Sequence, residues 1–140
     1  MSTQEIDDIV DIFELLGDWD QRYQYLIELG ERLPPMAPAD KIDGNRVMEC
    51  MSTVHVLPHP LADDDAGRLV FQGDCDTAII KGVVALLVDL LSNKTPQEIE
   101  DTDVDDLFER LQLDEHLSPN RHVGVFAIVN KMKRQAAQYA

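Results

Sequence analysis

Apolar positions along the chain change their period twice, from helical to alternating and back. Ile6, Ile9, Val10, Phe13 and Leu16 recur at three- and four-residue spacing behind Ser2, with Glu5 placed to close a capping box. A short amphipathic helix is predicted there, ended by Gly17. Asp18 can cap a second helix that carries Trp19, Tyr23, Leu26 and Ile27 on one face and stops at Gly30. Pro34, Pro35 and Pro38 follow, and an extended connector results, because each proline lacks an N–H and restricts the residue before it.

Between Lys41 and Gly73 the spacing shortens. Val47 sits in one run, Val54 and Val56 in a second, Leu69 and Phe71 in a third, so three antiparallel strands are predicted, with a turn over residues 62–67 between the last two. The Cys50-Met51-Ser52 stretch falls at or beside the first turn. Helical spacing returns through Ile79, Val83, Leu86, Leu87 and Leu90, a span so apolar that it must pack across the sheet or at the core centre. Gly82 inside it costs up to ~1 kcal/mol relative to alanine, which points to close approach by another element. Thr95-Pro96-Gln97-Glu98 is a strong helix start, and Ser118-Pro119 repeats the cap-then-proline signal before a last helix through Val123, Phe126, Ala127 and Val129. Lys131, Lys133 and Arg134 near its end complement the helix dipole. The order predicts an α+β fold over a single domain, residues 1–140, with helices packed on one face of a small three-stranded antiparallel sheet.

Composition narrows the function. The 140 residues carry a formal net charge of −15, which repels phosphate backbones and anionic lipid surfaces, so neither nucleic acid nor a membrane is an expected partner. No apolar run approaches the ~18 residues of a membrane span, and MSTQEIDDIV lacks the basic and apolar regions of a signal peptide; a cytoplasmic protein is expected. Two cysteines, Cys50 and Cys75, permit neither a disulfide framework nor a four-cysteine zinc site. The four histidines show no metal-binding spacing on one helix. Asp74 reads as a helix cap and Lys81 as a snorkelling edge residue.

A free cysteine is ordinarily a small buried hydrophobe, but Cys50 lies where a strand should be turning, and loop tips display reactive groups. Two readings of it stay open on spacing alone. The stretch from Phe13 to Tyr23, FELLGDWDQRY, with Leu26-Ile27-Glu28-Leu29-Gly30, resembles the opening of the SufE family of sulfur-transfer proteins. Further pieces agree in order: Asn45, Val47, Cys50, Ser52 and Val54, then Phe71, Gly73 and Asp74, then Lys81-Gly82, then Leu117-Ser118-Pro119 with Arg121.

The resemblance implies a SufE/IscU-like fold and a carrier that accepts sulfur from the persulfide of a SufS-like or CsdA-like cysteine desulfurase. The sulfur is held on Cys50 and passed to a SufBCD-like iron–sulfur scaffold complex. No resident cofactor is implied; the desulfurase carries the pyridoxal phosphate, and turnover belongs to the complex. Arg121 matches a family arginine and would anchor the reactive loop or contact the partner. The family usually has glycine before the acceptor cysteine, glutamine after it and tryptophan three residues beyond the serine; Glu49, Met51 and His55 stand there instead. Where the family reads Gly-Asp-Ser-Asp, Gly73-Asp74-Cys75-Asp76 places a second thiol at the start of the next helix, either as isosteric packing or as a resolving or relay cysteine. Burial and Glu49 would hold free Cys50 unreactive until docking swings the loop out. Two alternatives remain: a metal or iron–sulfur scaffold using Cys50, Cys75 and an aspartate or histidine, and a desulfurase-docking adaptor without transfer activity.

Overall fold

A computed structural model describes the backbone of residues 2–117 and 119–140, and the side chains of residues 5–113, 115–117 and 124–140. The chain opens with α1 (Ser2–Leu16) and α2 (Trp19–Glu31), then passes through two short 3-10 turns, Pro38–Asp40 and Asp43–Asn45. A hairpin follows, β1 (Val54–Pro60) and β2 (Leu69–Cys75), and then α3 (Ala78–Leu91), α4 (Pro96–Asp101), α5 (Val104–Arg110), α6 (Leu113–His116) and α7 (Pro119–Ala137). The predicted α+β class holds. Gly17 ends α1 at φ +80°, and Asp18 caps α2 by accepting the Gln21 N–H at 2.8 Å. Thr95 and Glu98 form the predicted capping box of α4. The Ser118 cap lies outside the described residues.

The sheet has two strands where three were predicted. Val54 pairs with Cys75, Val56 with Gly73 and Pro58 with Phe71, so the buried apolar residues of both strands share one face, while buried His55 lies on the other. The run around Val47 adds only an isolated bridge, Arg46 to His55, with the Val47 N–H donating to Val54 O at 2.9 Å. Two residues on, where a third strand would continue, the Val56 carbonyl accepts a buried hydrogen bond from Gln135 Nε2 of α7 at 2.8 Å. Beyond it stand Pro58 and Pro60, which have no N–H to offer along that edge. A helix side chain and two prolines therefore end the ladder after one bridge. The free edge of β2 is covered as well: the Leu69 N–H donates to Lys94 O at 2.8 Å, the Asn93 N–H to Leu69 O at 2.7 Å, and the Phe71 N–H to Ser92 Oγ at 3.0 Å. Gln135→Leu is expected to cost about 1–3 kcal/mol in chemical denaturation, because the buried Val56 carbonyl would lose its partner.

Helix α3 is the centre of the core, as its apolar run predicts. One side lies on β2, where Gly73 leaves room for Val84 and Val88, and the other lies against α2. Gly82 explains itself: a Cβ there would stand 2.5 Å from the Leu26 carbonyl carbon. Gly30 is not the end of α2 but the other half of the same crossing, since its Cβ would lie 3.0 Å from the Gly82 nitrogen; Arg32 is the C-cap. Helix α7 runs along β1 and against α4, where Lys133 Nζ donates to the carbonyls of Glu100 at 3.1 Å and Thr102 at 3.0 Å. That lysine closes the end of α4 as much as it serves its own helix. Trp19 stacks on His116 at 3.8 Å between ring centroids, and Tyr23 Oη donates to His116 O at 2.8 Å, tying α2 to the segment before α7.

Candidate functional site: a buried thiol at the end of the hairpin

The turn that carries Cys50 hangs from the open end of the hairpin. Its base is fastened by the Val47 bond to Val54, and the Cys50 N–H donates back to Val47 O at 3.3 Å. On the other side the hairpin register runs on past the strands: the Thr53 N–H donates to Asp76 Oδ1 at 3.0 Å, the Asp76 N–H to Thr53 O at 3.2 Å, and the Ser52 and Thr77 hydroxyls share a 2.7 Å bond. Cys50 itself points inward and is 7% exposed, whereas Met48 and Met51 are 58% and 79% exposed and Glu49 is exposed too. In this turn a buried sulfur therefore sits between outward-facing neighbours.

The floor under the sulfur is helix α7. Gly124 is buried there, and an ideal Cβ on it would lie 2.8 Å from Cys50 Sγ and 3.4 Å from Cys50 Cα. The sequence reading missed Gly124, although a glycine inside a helical run was the same signal that singled out Gly82. Beside the turn a groove of about 430 Å³ is lined by Glu49, Phe126, Ala127, Asn130 and Arg134. Arg121 lies on the backbone of α7, and its side chain is outside the described residues.

Cys75 sits across the turn at the end of β2, buried, with its Sγ accepting the Thr77 N–H at 3.4 Å. Burial pushes this thiol up to about 11, helped by the charges of Asp76, Cys50 and Asp74 and opposed by the Thr77 N–H. The helix start does not activate it. Below the ordinary thiol value of about 8.5 the neutral form favours the fold, and that contribution is lost as pH rises toward about 11. Cys75 in the native chain is therefore expected to resist iodoacetamide at neutral pH. Its labelling, followed by peptide mass spectrometry, should climb about tenfold per pH unit as the thiolate fraction grows.

Asp74 is not a helix cap. It accepts the Cys75 N–H at 2.9 Å and pairs with Lys41 at 2.8 Å and Lys81 at 3.6 Å. Burial works against its charge, but the Lys41 hydrogen bond, the Cys75 N–H and the two ammonium charges outweigh it and hold the carboxyl below its ordinary range. Lys81 thus has a partner at the sheet end. His55, cross-strand from Asp74, is buried and held toward its neutral form by burial and by the Lys41 and Arg46 charges. Among the described residues no group of three or more His, Cys, Asp or Glu side chains is placed to hold a metal ion, and no helix is long and apolar enough to cross a membrane.

The fold and the described residues of the site define a small α+β protein whose Cys50 thiol, at the open end of a two-stranded hairpin, is packed against a helix. The SufE family model, described as an Fe-S metabolism associated domain, matches residues 7–136, and the chain belongs to that family. It is 36% identical over 131 residues to an uncharacterized SufE-like protein of Rhizobium meliloti (strain 1021), covering 94% of each chain. A second SufE-like protein, from Rhizobium etli, is 36% identical over 94% of this chain and 88% of its own length. The fold is shared with the solution structure of a hypothetical protein from Thermus thermophilus, at a TM-score of 0.75 and 20% identity, over 96% of this chain and 95% of that one.

Proposed function

We propose that this chain is a carrier of sulfane sulfur for iron–sulfur cluster assembly, with Cys50 as the acceptor. The donor is the active-site persulfide of a pyridoxal-phosphate cysteine desulfurase of SufS or CsdA type, and the recipient is a SufBCD-like scaffold complex. Family membership supports the setting. The observation that carries the reading is the placement of Cys50, buried on a turn whose flanking residues are exposed and whose fastenings lie at its base. In the transfer step the Cys50 thiolate attacks the outer sulfur of the donor persulfide. A new S–S bond forms as the old one breaks, and the donor cysteine leaves as a thiolate. No electron is gained or lost overall, and no resident metal or cofactor takes part.

The turn must open for this attack. Docking of the desulfurase supplies the opening and a more positive surrounding than Glu49 and the nearby aspartates offer. The test is intact-mass analysis after incubation with a desulfurase and cysteine. A gain of one sulfur atom, mapped to Cys50, supports the carrier. A stable complex with no added sulfur would support a docking adaptor instead. That second reading draws on the exposed Met48 and Met51 beside the groove on α7, because flexible thioether side chains suit an adaptable contact surface.

A further inference from the structure

We propose that Gly124 is the positioning residue that keeps the Cys50 thiol withdrawn. The bare backbone of α7 is the seat on which the sulfur rests, and one methyl group in that seat would turn the thiol outward. The biological meaning of this seat rests on the carrier reading, but its geometry does not.

Gly124 occupies a helical position, where alanine is the better helix former, so no local backbone demand calls for glycine. What surrounds it does: an added Cβ would meet Cys50 Sγ at 2.8 Å and the Cys50 Cα and Cβ at 3.4 Å each. The contrast with Gly82 matters. There an added Cβ meets the backbone of Leu26, in a helix that can yield only by separating from α3. At Gly124 the nearest atom is the sulfur of a turn whose neighbours Met48, Glu49 and Met51 already face solvent. The bonds that anchor the turn join Val47, Ser52 and Thr53 to their partners, on either side of Cys50 and not through its side chain. Crowding from below is therefore relieved by Cys50 moving out between fixed ends. Cys75 has no such seat: its sulfur is held by the Thr77 N–H, so it serves as an internal control.

The experiment is alkylation of the full chain carrying Gly124→Ala with iodoacetamide under native conditions, with the Cys50 and Cys75 peptides quantified separately. Cys50 is expected to react at least about tenfold faster, the scale of one methyl's overpacking, while Cys75 stays unchanged. An unchanged Cys50 rate would show that the helix yields instead, and equal acceleration of both thiols would show a loosened fold; either overturns the proposal. If Gly124→Ala does not fold, the double variant Cys50→Ala, Gly124→Ala decides. With Sγ gone the new methyl meets carbon at 3.4 Å, so the double variant must melt within a few degrees of Cys50→Ala alone. A larger loss overturns the seat. Alkylation uses neither desulfurase nor sulfur, so an evicted Cys50 that accepts no sulfur would sink the carrier reading and leave Gly124's role standing.

Discussion

Serine at position 50 is expected to abolish sulfur capture while leaving the chain folded. In incubation with a desulfurase and cysteine, the Cys50→Ser chain should show no added sulfur, and stimulation of the desulfurase should fall to the level seen without the chain. Only a thiolate is nucleophilic enough toward a persulfide sulfur, and a serine hydroxyl at neutral pH supplies neither the anion nor a stable bond to the transferred atom. Structurally the exchange is mild. Serine is close in size to cysteine, the Gly124 seat accommodates it, and the bonds of Val47, Ser52 and Thr53 do not involve the sulfur. Folding stability is expected to change by about 1 kcal/mol or less, and a desulfurase should still bind the variant. Undiminished delivery of sulfur to a scaffold by Cys50→Ser would overturn the carrier reading. Cys75 is not expected to replace the lost thiol, because burial pushes it well above the ordinary thiol range.

Gly82→Ala is expected to be the most destabilising single-methyl substitution among the described glycines, costing about 3 kcal/mol or more in denaturant unfolding. The new Cβ would stand 2.5 Å from the carbonyl carbon of Leu26 and 2.8 Å from its Cα, so the neighbour that must give is backbone rather than the end of a side chain. Helices α2 and α3 cross here with glycine on both sides, since Gly30 faces the Gly82 nitrogen. Separating them would also loosen the apolar side chains along α3, among them the fully buried Val83, Val84 and Leu87. In an ordinary exposed helix the same substitution would be stabilising by up to about 1 kcal/mol. The sign of the measured change therefore separates helix propensity from helix contact.

Much of the architecture was legible because it is local. The caps of α2 and α4, the glycine that ends α1 and the central position of α3 depend on residues within a few positions of one another, and periodicity reports them. The third strand failed for a reason that lies elsewhere in the chain: the edge it would have used belongs to Gln135, nearly eighty residues beyond Val56. Asp74 failed similarly, since Lys41 and Lys81 reach it from separate elements. Cys50 was legible as a candidate through its turn position and its family resemblance, yet its seat was not. Gly124 joins it only through the packing of α7, and spacing in the sequence carries no record of which helix will lie under which turn.

The covered strand edges have a consequence for how other proteins can approach. Pairing a foreign strand alongside a sheet needs a row of free N–H and C=O groups to act as a template. On β1 that row is interrupted by Val47, Gln135 and two prolines, and on β2 by Ser92, Asn93 and Lys94. Main-chain augmentation is thereby opposed along these stretches of both edges. The Cys50 turn lies beyond both of these blocked stretches, at the open end of the hairpin.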